Sequence, residues 1–193
     1  MKAGVRALGV AESYRETTST LAGVVVRASR VVDGFGFESC TVGGTDATDA
    51  VATLAERLDR EDVRYLFVAG IAPAWFNVLD LRALAERVDR PVLSVTFEES
   101  DGLEPAIREA FDGEQRERRL STYRAQPERV PVAVDGDTVY LRAVGIEEDE
   151  ATEVVRAFTP AGGRPEPVRV ARQAARAADE ARRRWRDAAA TEE

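Results

Sequence analysis

The chain contains no histidine and one cysteine, Cys40, so demanding chemistry falls to its carboxylates. Without imidazole there is no His-based acid/base catalysis, no Ser-His triad and no His-ligated metal. A single cysteine excludes an intramolecular disulfide and a thiolate metal cluster. Only Asp and Glu side chains remain as candidate ligands or bases for strong chemistry. The acids to weigh are Glu12, Asp46 and Asp80. Each also has a plainer use: Glu12 as a loop-surface acid, Asp46 as a helix N-cap or first-turn acid, and Asp80 in the first turn of a helix, where acids are favoured anyway. Trp75 and Phe76 could stack a nucleobase, although core or interface burial is the commoner use of such rings. Arg164 and Arg169 could meet phosphate, although solvated or ion-paired arginines are commoner.

The stretch from Val63 to Leu84 is the element that must position any such site. Val63 to Val68 is a near-continuous apolar and β-branched run, the pattern of a strand covered on both faces. Val78, Leu81, Leu84 and Ala85, with Asp80, Arg82 and Glu86 between them, have the spacing of an amphipathic helix. Between the two lie Gly70, Pro73 and Asn77, the last placed as a helix N-cap. α/β proteins gather ligand-binding groups at the carboxyl end of such a central strand. Here that end reads Val68-Ala69-Gly70-Ile71 and carries no charged side chain.

A length of 193 residues, with 44% hydrophobic and 32% charged residues, fits one globular domain. No apolar run approaches the roughly 20 residues of a membrane helix, and the opening Met-Lys-Ala-Gly-Val-Arg lacks a signal-peptide apolar block, which reads as cytoplasmic with no membrane partner. A net charge of −8 argues against a nucleic-acid partner. Lys2 is the only lysine, however, and an acidic, lysine-poor, alanine- and valine-rich chain has the composition of a halophile's cytosolic protein. At about 1 M salt the Debye length is only about 3 Å, so net charge then says little about partners.

Taken in order, Val5 to Val10, Thr20 to Ala28 and Val31 to Val42 predict three strands, closely enough spaced for an antiparallel meander, with a polar loop over 16–19. Gly23 marks a bulge or a close approach. A helix capped at Thr45 or Asp46 follows and carries Ala50, Val51, Leu54, Ala55 and Leu58. After the central strand and its helix come a strand over 91–97 and a helix over 103–111. Gln115 to Arg119 reads as a solvated charge run. Asp135-Gly136 predicts a hairpin, Glu147 to Phe158 a helix, Thr159 to Pro167 a connector, and Val168 to about Ala190 an alanine- and arginine-rich last helix, with Thr191, Glu192 and Glu193 fraying. A meander followed by helix–strand alternation is the order of a ribonuclease H-like mixed sheet, with an added hairpin and C-terminal helices, in a single domain. Residues 1–113 would be its core, and 129–190 the hairpin and helices packed on it.

Leu8-Gly9-Val10, Thr41-Val42 through Thr45-Asp46-Ala47-Thr48, Gly70-Ile71 with Phe76 to Asp80, Val144-Gly145-Ile146 and Pro165 to Arg169 together resemble the archaeal endonuclease dU family, related to endonuclease V. They keep the family's order over nearly the whole chain. The resemblance implies a ribonuclease H-like fold and Mg²⁺- or Mn²⁺-dependent cleavage of DNA containing deaminated bases such as deoxyuridine. It also implies an acidic pair ending the first strand and an aspartate ending the central one. At those positions this chain has Ala11, Glu12 and Ala69, and Gly43 stands where a further family aspartate is expected. Alanine and glycine cannot ligate a metal, which leaves Glu12 as the one matched acid. The first reading is a divergent member of that family, and the alternative is a catalytically inactive nucleic-acid-binding or regulatory protein that keeps the fold. Trp75, Phe76, Asn77, Asp80, Arg164 and Arg169 are its candidate substrate contacts.

Overall fold

The computed structural model describes residues 1–160 and 163–191, so Ala161 and Gly162 of the connector and the terminal Glu192 and Glu193 lie outside the described residues. Strands β1 (Arg6–Arg15), β2 (Thr18–Arg27) and β3 (Val32–Thr41) form the antiparallel meander. Helix α1 (Ala47–Leu58), strand β4 (Val63–Ala69), the single turn α2 (Pro73–Phe76), helix α3 (Leu81–Val88) and strand β5 (Val92–Thr96) follow. Helices α4 (Glu104–Ala110) and α5 (Gly113–Arg124) lead to strands β6 (Val130–Val134) and β7 (Asp137–Val144), then to helices α6 (Glu148–Ala157) and α7 (Glu166–Thr191). The seven strands run in the order β3-β2-β1-β4-β5-β7-β6, with β4 at the centre, parallel to β1 and to β5.

The apolar run of β4 is explained by what covers it. Leu66 and Val68 pack beneath α1 and α3 with Leu54 and Leu84, whereas Tyr65 and Phe67 face α6 with Val154 and Phe158. Both faces of the strand are therefore buried, and polar alternation has no place there. The hairpin turns at Asp135 and Gly136, with φ of 39° and 89°, the left-handed pair that a two-residue turn between twisted strands requires. Its second strand pairs antiparallel with β5, so the hairpin extends the sheet.

The loop predicted over 16–19 is shorter than expected. β1 continues to Arg15 and β2 begins at Thr18, leaving Glu16 and Thr17 to turn. Tertiary partners draw these polar residues into the sheet: Ser19 is fully buried, and Arg15 and Ser13 bond Asp179 of α7 at 2.8 and 3.4 Å. Helix α7 lies along β1 and β2. At its start a Cβ on Gly9 would stand 2.2 Å from the Pro167 carbonyl carbon, so only glycine admits the helix. Farther along, Ala171 packs against Ala11, Val24 and Val26. No described helix is long and apolar enough to cross a membrane.

Candidate functional site

The carboxyl ends of β4 and β5 open into a cleft of about 390 Å³, bordered by Glu12 from β1. Gly70 makes the turn out of β4 at φ 82°, its N–H donating to the Val68 and Val95 carbonyls at 3.1 and 3.0 Å. The walls carry four arginines: Arg129 and Arg142 from the hairpin side, and Arg164 and Arg172 from the α7 side. Arg129 is tied down by Thr96 Oγ1 at 3.1 and 2.8 Å, by the Ser100 carbonyl at 3.3 Å and by the Glu98 carbonyl, and lies 4.1 Å over the Tyr140 ring. Arg142 donates to the Pro127 carbonyl and lies 5.6 Å from the Tyr123 ring centre, and Arg164 lies 4.5 Å over Phe97. Arg164 and Arg172 make no hydrogen bond or ion pair with any described residue. Burial lowers the pKa of Arg142 and of Arg172; for Arg172 the neighbouring Arg164 and Arg176 add to the effect, and Glu12 opposes it.

Two carboxylates, Glu12 and Glu98, line the same cleft. Glu12 lies on the α1 side of β1 and accepts a 2.6 Å bond from the buried Ser19 hydroxyl. Ala11 points the other way, as strand alternation requires, and packs with Ala69 against Ala171 of α7. Both methyl groups thus sit where the helix rests on the sheet. No group of three or more Asp, Glu or Cys residues capable of holding a metal ion occurs among the described residues. Burial pushes the Cys40 thiol, beside Ser19, up to about 12, so it is no nucleophile at neutral pH.

Beyond the cleft, Ala74, Trp75 and Phe76 hold left-handed φ of 48°, 54° and 59°. Such residues cost about 1–3 kcal/mol each and persist only where their surroundings impose them. Here the Gly43 N–H donates to the Ala74 carbonyl at 2.7 Å, and Arg119 donates to the carbonyls of Phe76 at 3.1 Å, of Gly44 at 3.0 Å and of Gly43. Asn77, fully buried, accepts from the Ala47 N–H at 2.9 Å and donates to the Thr41 carbonyl at 2.9 Å and to Asp46 at 2.6 Å. Burial works to raise the Asp46 carboxyl, but bonds from Asn77 and Thr41 outweigh it and hold its pKa below the usual range. Trp75 remains 47% exposed, with Phe111 at 5.0 Å.

Glu12, Ala69 and Arg164 are thus brought together in the cleft. Trp75 and Phe76 lie on the turn beyond its Pro73 rim, and Gly43 lies beneath the Trp75 ring beside a separate hollow lined by Thr45, Arg118 and Arg119. Asn77 is not the N-cap of α3. Asp80 is, accepting from Arg82 N and Ala83 N at 3.0 Å each, while Asn77 serves the start of α1. Asp46 makes no capping bond to α1 and holds Thr41 and Asn77 instead. Arg169 is engaged by Glu166 at 2.7 Å. The run over 115–119 is not wholly solvated: Arg119 is 3% exposed and lies 3.8 Å over the Phe111 ring. Sequence reasoning also passed over Arg129, Arg142 and Arg172; the one available signal was Arg142 set among the alternating apolar residues of a hairpin strand.

Residues 3–179 match the family described as endonuclease dU. The chain belongs to the endonuclease dU family. A UPF0215 protein of Pyrobaculum calidifontis is 34% identical over 168 residues, 85% of this chain and 91% of that protein. Another from Methanopyrus kandleri is 32% identical over 176 residues, 89% of each. A crystal structure from Archaeoglobus fulgidus, described as a protein of unknown function, superposes with a TM-score of 0.80 at 28% identity, over 89% of this chain and 96% of that one. Endonuclease V of Ciona intestinalis, solved with a 24mer DNA containing an inosine followed by a ribo-adenosine, gives a TM-score of 0.62 at 11% identity, over 91% and 86% of the chains. At that identity the likeness shows the fold, a ribonuclease H-like mixed sheet. The stretches that carry the sequence resemblance also meet in space: Gly9 lies under Pro167, and Thr41 and Asp46 accept from Asn77.

Proposed function

We propose that this endonuclease dU-family chain binds nucleic acid in the arginine-walled cleft by direct guanidinium–phosphate contact, as a member that has left its family's metal-dependent cleavage of deaminated DNA. The observation that carries this reading is the donor set at the strand ends. Four guanidiniums face two carboxylates there, and one of those carboxylates is engaged by Ser19. A hard divalent cation takes several oxygen ligands, commonly carboxylates. Two of the four positions that the resemblance matches to family acids, Ala11 and Ala69, offer methyl groups packed beneath α7. The donor set does not fit Mg²⁺ or Mn²⁺, and no step of the proposed activity passes through one. Phosphate oxygens instead suit arginine, whose planar fork donates in pairs. Glu12 is then a carboxylate held by Ser19 on the cleft wall, Arg164 and Arg172 phosphate contacts, and Trp75 an exposed ring on which an unpaired base stacks. Asp80, Asn77 and Arg169, already engaged, have structural parts.

The test is fluorescence anisotropy with labelled single strands, with and without deoxyuridine, in chelator and in Mg²⁺ or Mn²⁺, alongside gel analysis of the same mixtures. The expected result is binding of equal strength in chelator and metal, with strands left intact. Metal-dependent cutting of the deoxyuridine strand that disappears in Glu12→Ala would restore the family reaction and overturn this reading.

A further inference from the structure

The cleft is more specific than a groove for a passing strand. We infer that it seats a phosphomonoester, the terminal phosphate of a nucleic-acid strand or of a free mononucleotide, between Arg142, Arg164 and Arg172. This deepens the nucleic-acid reading and rests on it for the nucleoside attached to the phosphate.

Charge selects the group. Four guanidiniums against two carboxylates leave the cleft at +2, in a chain whose net charge is −8. A phosphomonoester carries about −1.5 to −2 at neutral pH, which meets that charge, whereas an internal phosphodiester carries a single negative charge and would leave cationic surface unmatched. Size points the same way. A volume of about 390 Å³ lies in the range of small-molecule sites, roughly 300–1,000 Å³, and so suits one nucleotide.

The arginines are also set in advance. Arg142 and Arg164 lie at 5.6 and 4.5 Å over Tyr123 and Phe97, rings that fix guanidinium orientation while leaving N–H edges available. Arg164 and Arg172 have no hydrogen-bond or ion-pair partner among the described residues, so their donors need not be withdrawn from a protein acceptor before meeting phosphate. Arg129, in contrast, is fully engaged by Thr96 and by loop carbonyls, and serves as the wall behind them. Partial burial of Arg142 strengthens its attraction for an anion, because Coulomb energy rises as water is excluded.

The experiment titrates the full chain at low salt with thymidine 5′-monophosphate, thymidine, inorganic phosphate and short thymidine oligomers ending in a 5′-phosphate, a 3′-phosphate or hydroxyls only. The doubly substituted Arg164→Ala/Arg172→Ala protein is run in parallel. These two side chains make no hydrogen bond or ion pair with a described residue, so the fold should survive, and circular dichroism checks that it does. Each charge-assisted bond to phosphate is worth about tenfold or more in affinity. The expected result is preference of at least about tenfold for the phosphorylated over the unphosphorylated ligand, removed in the double variant. Preference confined to the oligomers identifies a strand end, and preference shared by thymidine 5′-monophosphate identifies a free nucleotide; both support the inference. Oligomers that bind equally with and without a terminal phosphate overturn it while leaving nucleic-acid binding intact. Binding of the mononucleotide but of no oligomer upholds the phosphate seat and overturns the nucleic-acid reading. No binding of any ligand overturns both.

Discussion

Asn77 exposes no surface, yet its side-chain amide meets Ala47, Thr41 and Asp46, residues 30, 36 and 31 positions away. It joins the β3–α1 loop to the turn that presents Trp75. Asn77→Ala leaves the buried Ala47 N–H without its partner, and the Thr41 carbonyl, which keeps the Gly44 N–H, and Asp46 with one bond fewer each. Each such buried group costs about 1–3 kcal/mol, so the expected loss is about 3 kcal/mol, read as a lowered urea midpoint at unchanged slope; a loss under about 1 kcal/mol would show that water replaces the amide. Acid should act at other residues. The side-chain bond from Arg27, aided by Arg6, lowers Asp33 to about 2, and Asp46 is likewise depressed. A carboxyl lowered in the folded state stabilises above its unfolded pKa of about 3.9, and that contribution fades as pH falls through the folded value. Stability should therefore decline from about pH 4 towards 2, and Asp33→Asn, measured by urea unfolding across that range, should decline less steeply than the parent. Parallel curves would refute the assignment of Asp33.

Helix α7 is the element on which the site depends, because it carries Arg172 to the cleft, follows directly on the Arg164 segment and covers Ala11 and Ala69. Gly9→Ala places a methyl against the Pro167 backbone. Overpacking of this kind costs about 1–3 kcal/mol, and the expected result is a lower melting temperature together with weaker DNA binding as α7 shifts. Ala11→Asp with Ala69→Asp would set two carboxylates under the same helix, where burial and mutual repulsion oppose ionisation. The double variant should melt lower than the parent in chelator, and added Mg²⁺ should not restore it. Recovery with Mg²⁺ but not in the parent would show that the two positions can still face one metal site.

These elements were legible to different degrees. The β4 run, the meander and the Asp135-Gly136 turn follow from burial on two faces, short spacing and left-handed turn chemistry, all of which are local. The exchange of caps between Asn77 and Asp80 was not legible, because an amide three residues before Asp80 looks like a cap until its distant partners are known. Nor was the burial of Arg119, inside a charge run with no apolar period, since three of its four carbonyl acceptors belong to the distant residues 43, 44 and 76. The arginine cleft draws on β6, β7, α7 and the connector before it, so no single stretch of sequence carries it.

At the scale of the whole molecule, an acidic chain of net charge −8 is a poor ligand for nucleic acid unless its positive groups are concentrated. The fold concentrates them, gathering arginines from the hairpin and from the start of the last helix and its connector around the strand ends that a ribonuclease H-like sheet leaves open. Guanidinium–phosphate binding displaces counterions, and for single strands the logarithm of affinity falls with the logarithm of salt at about −0.7 per phosphate neutralised. The sharpest test of direct guanidinium–phosphate binding is therefore the salt dependence of single-strand affinity in chelator, compared between the parent and Arg164→Ala/Arg172→Ala. Without these two guanidiniums, which meet the same phosphate, the slope should be shallower by at least about 0.7, with weaker binding at every salt concentration. An identical slope and affinity in parent and variant, or binding that requires Mg²⁺, would contradict it.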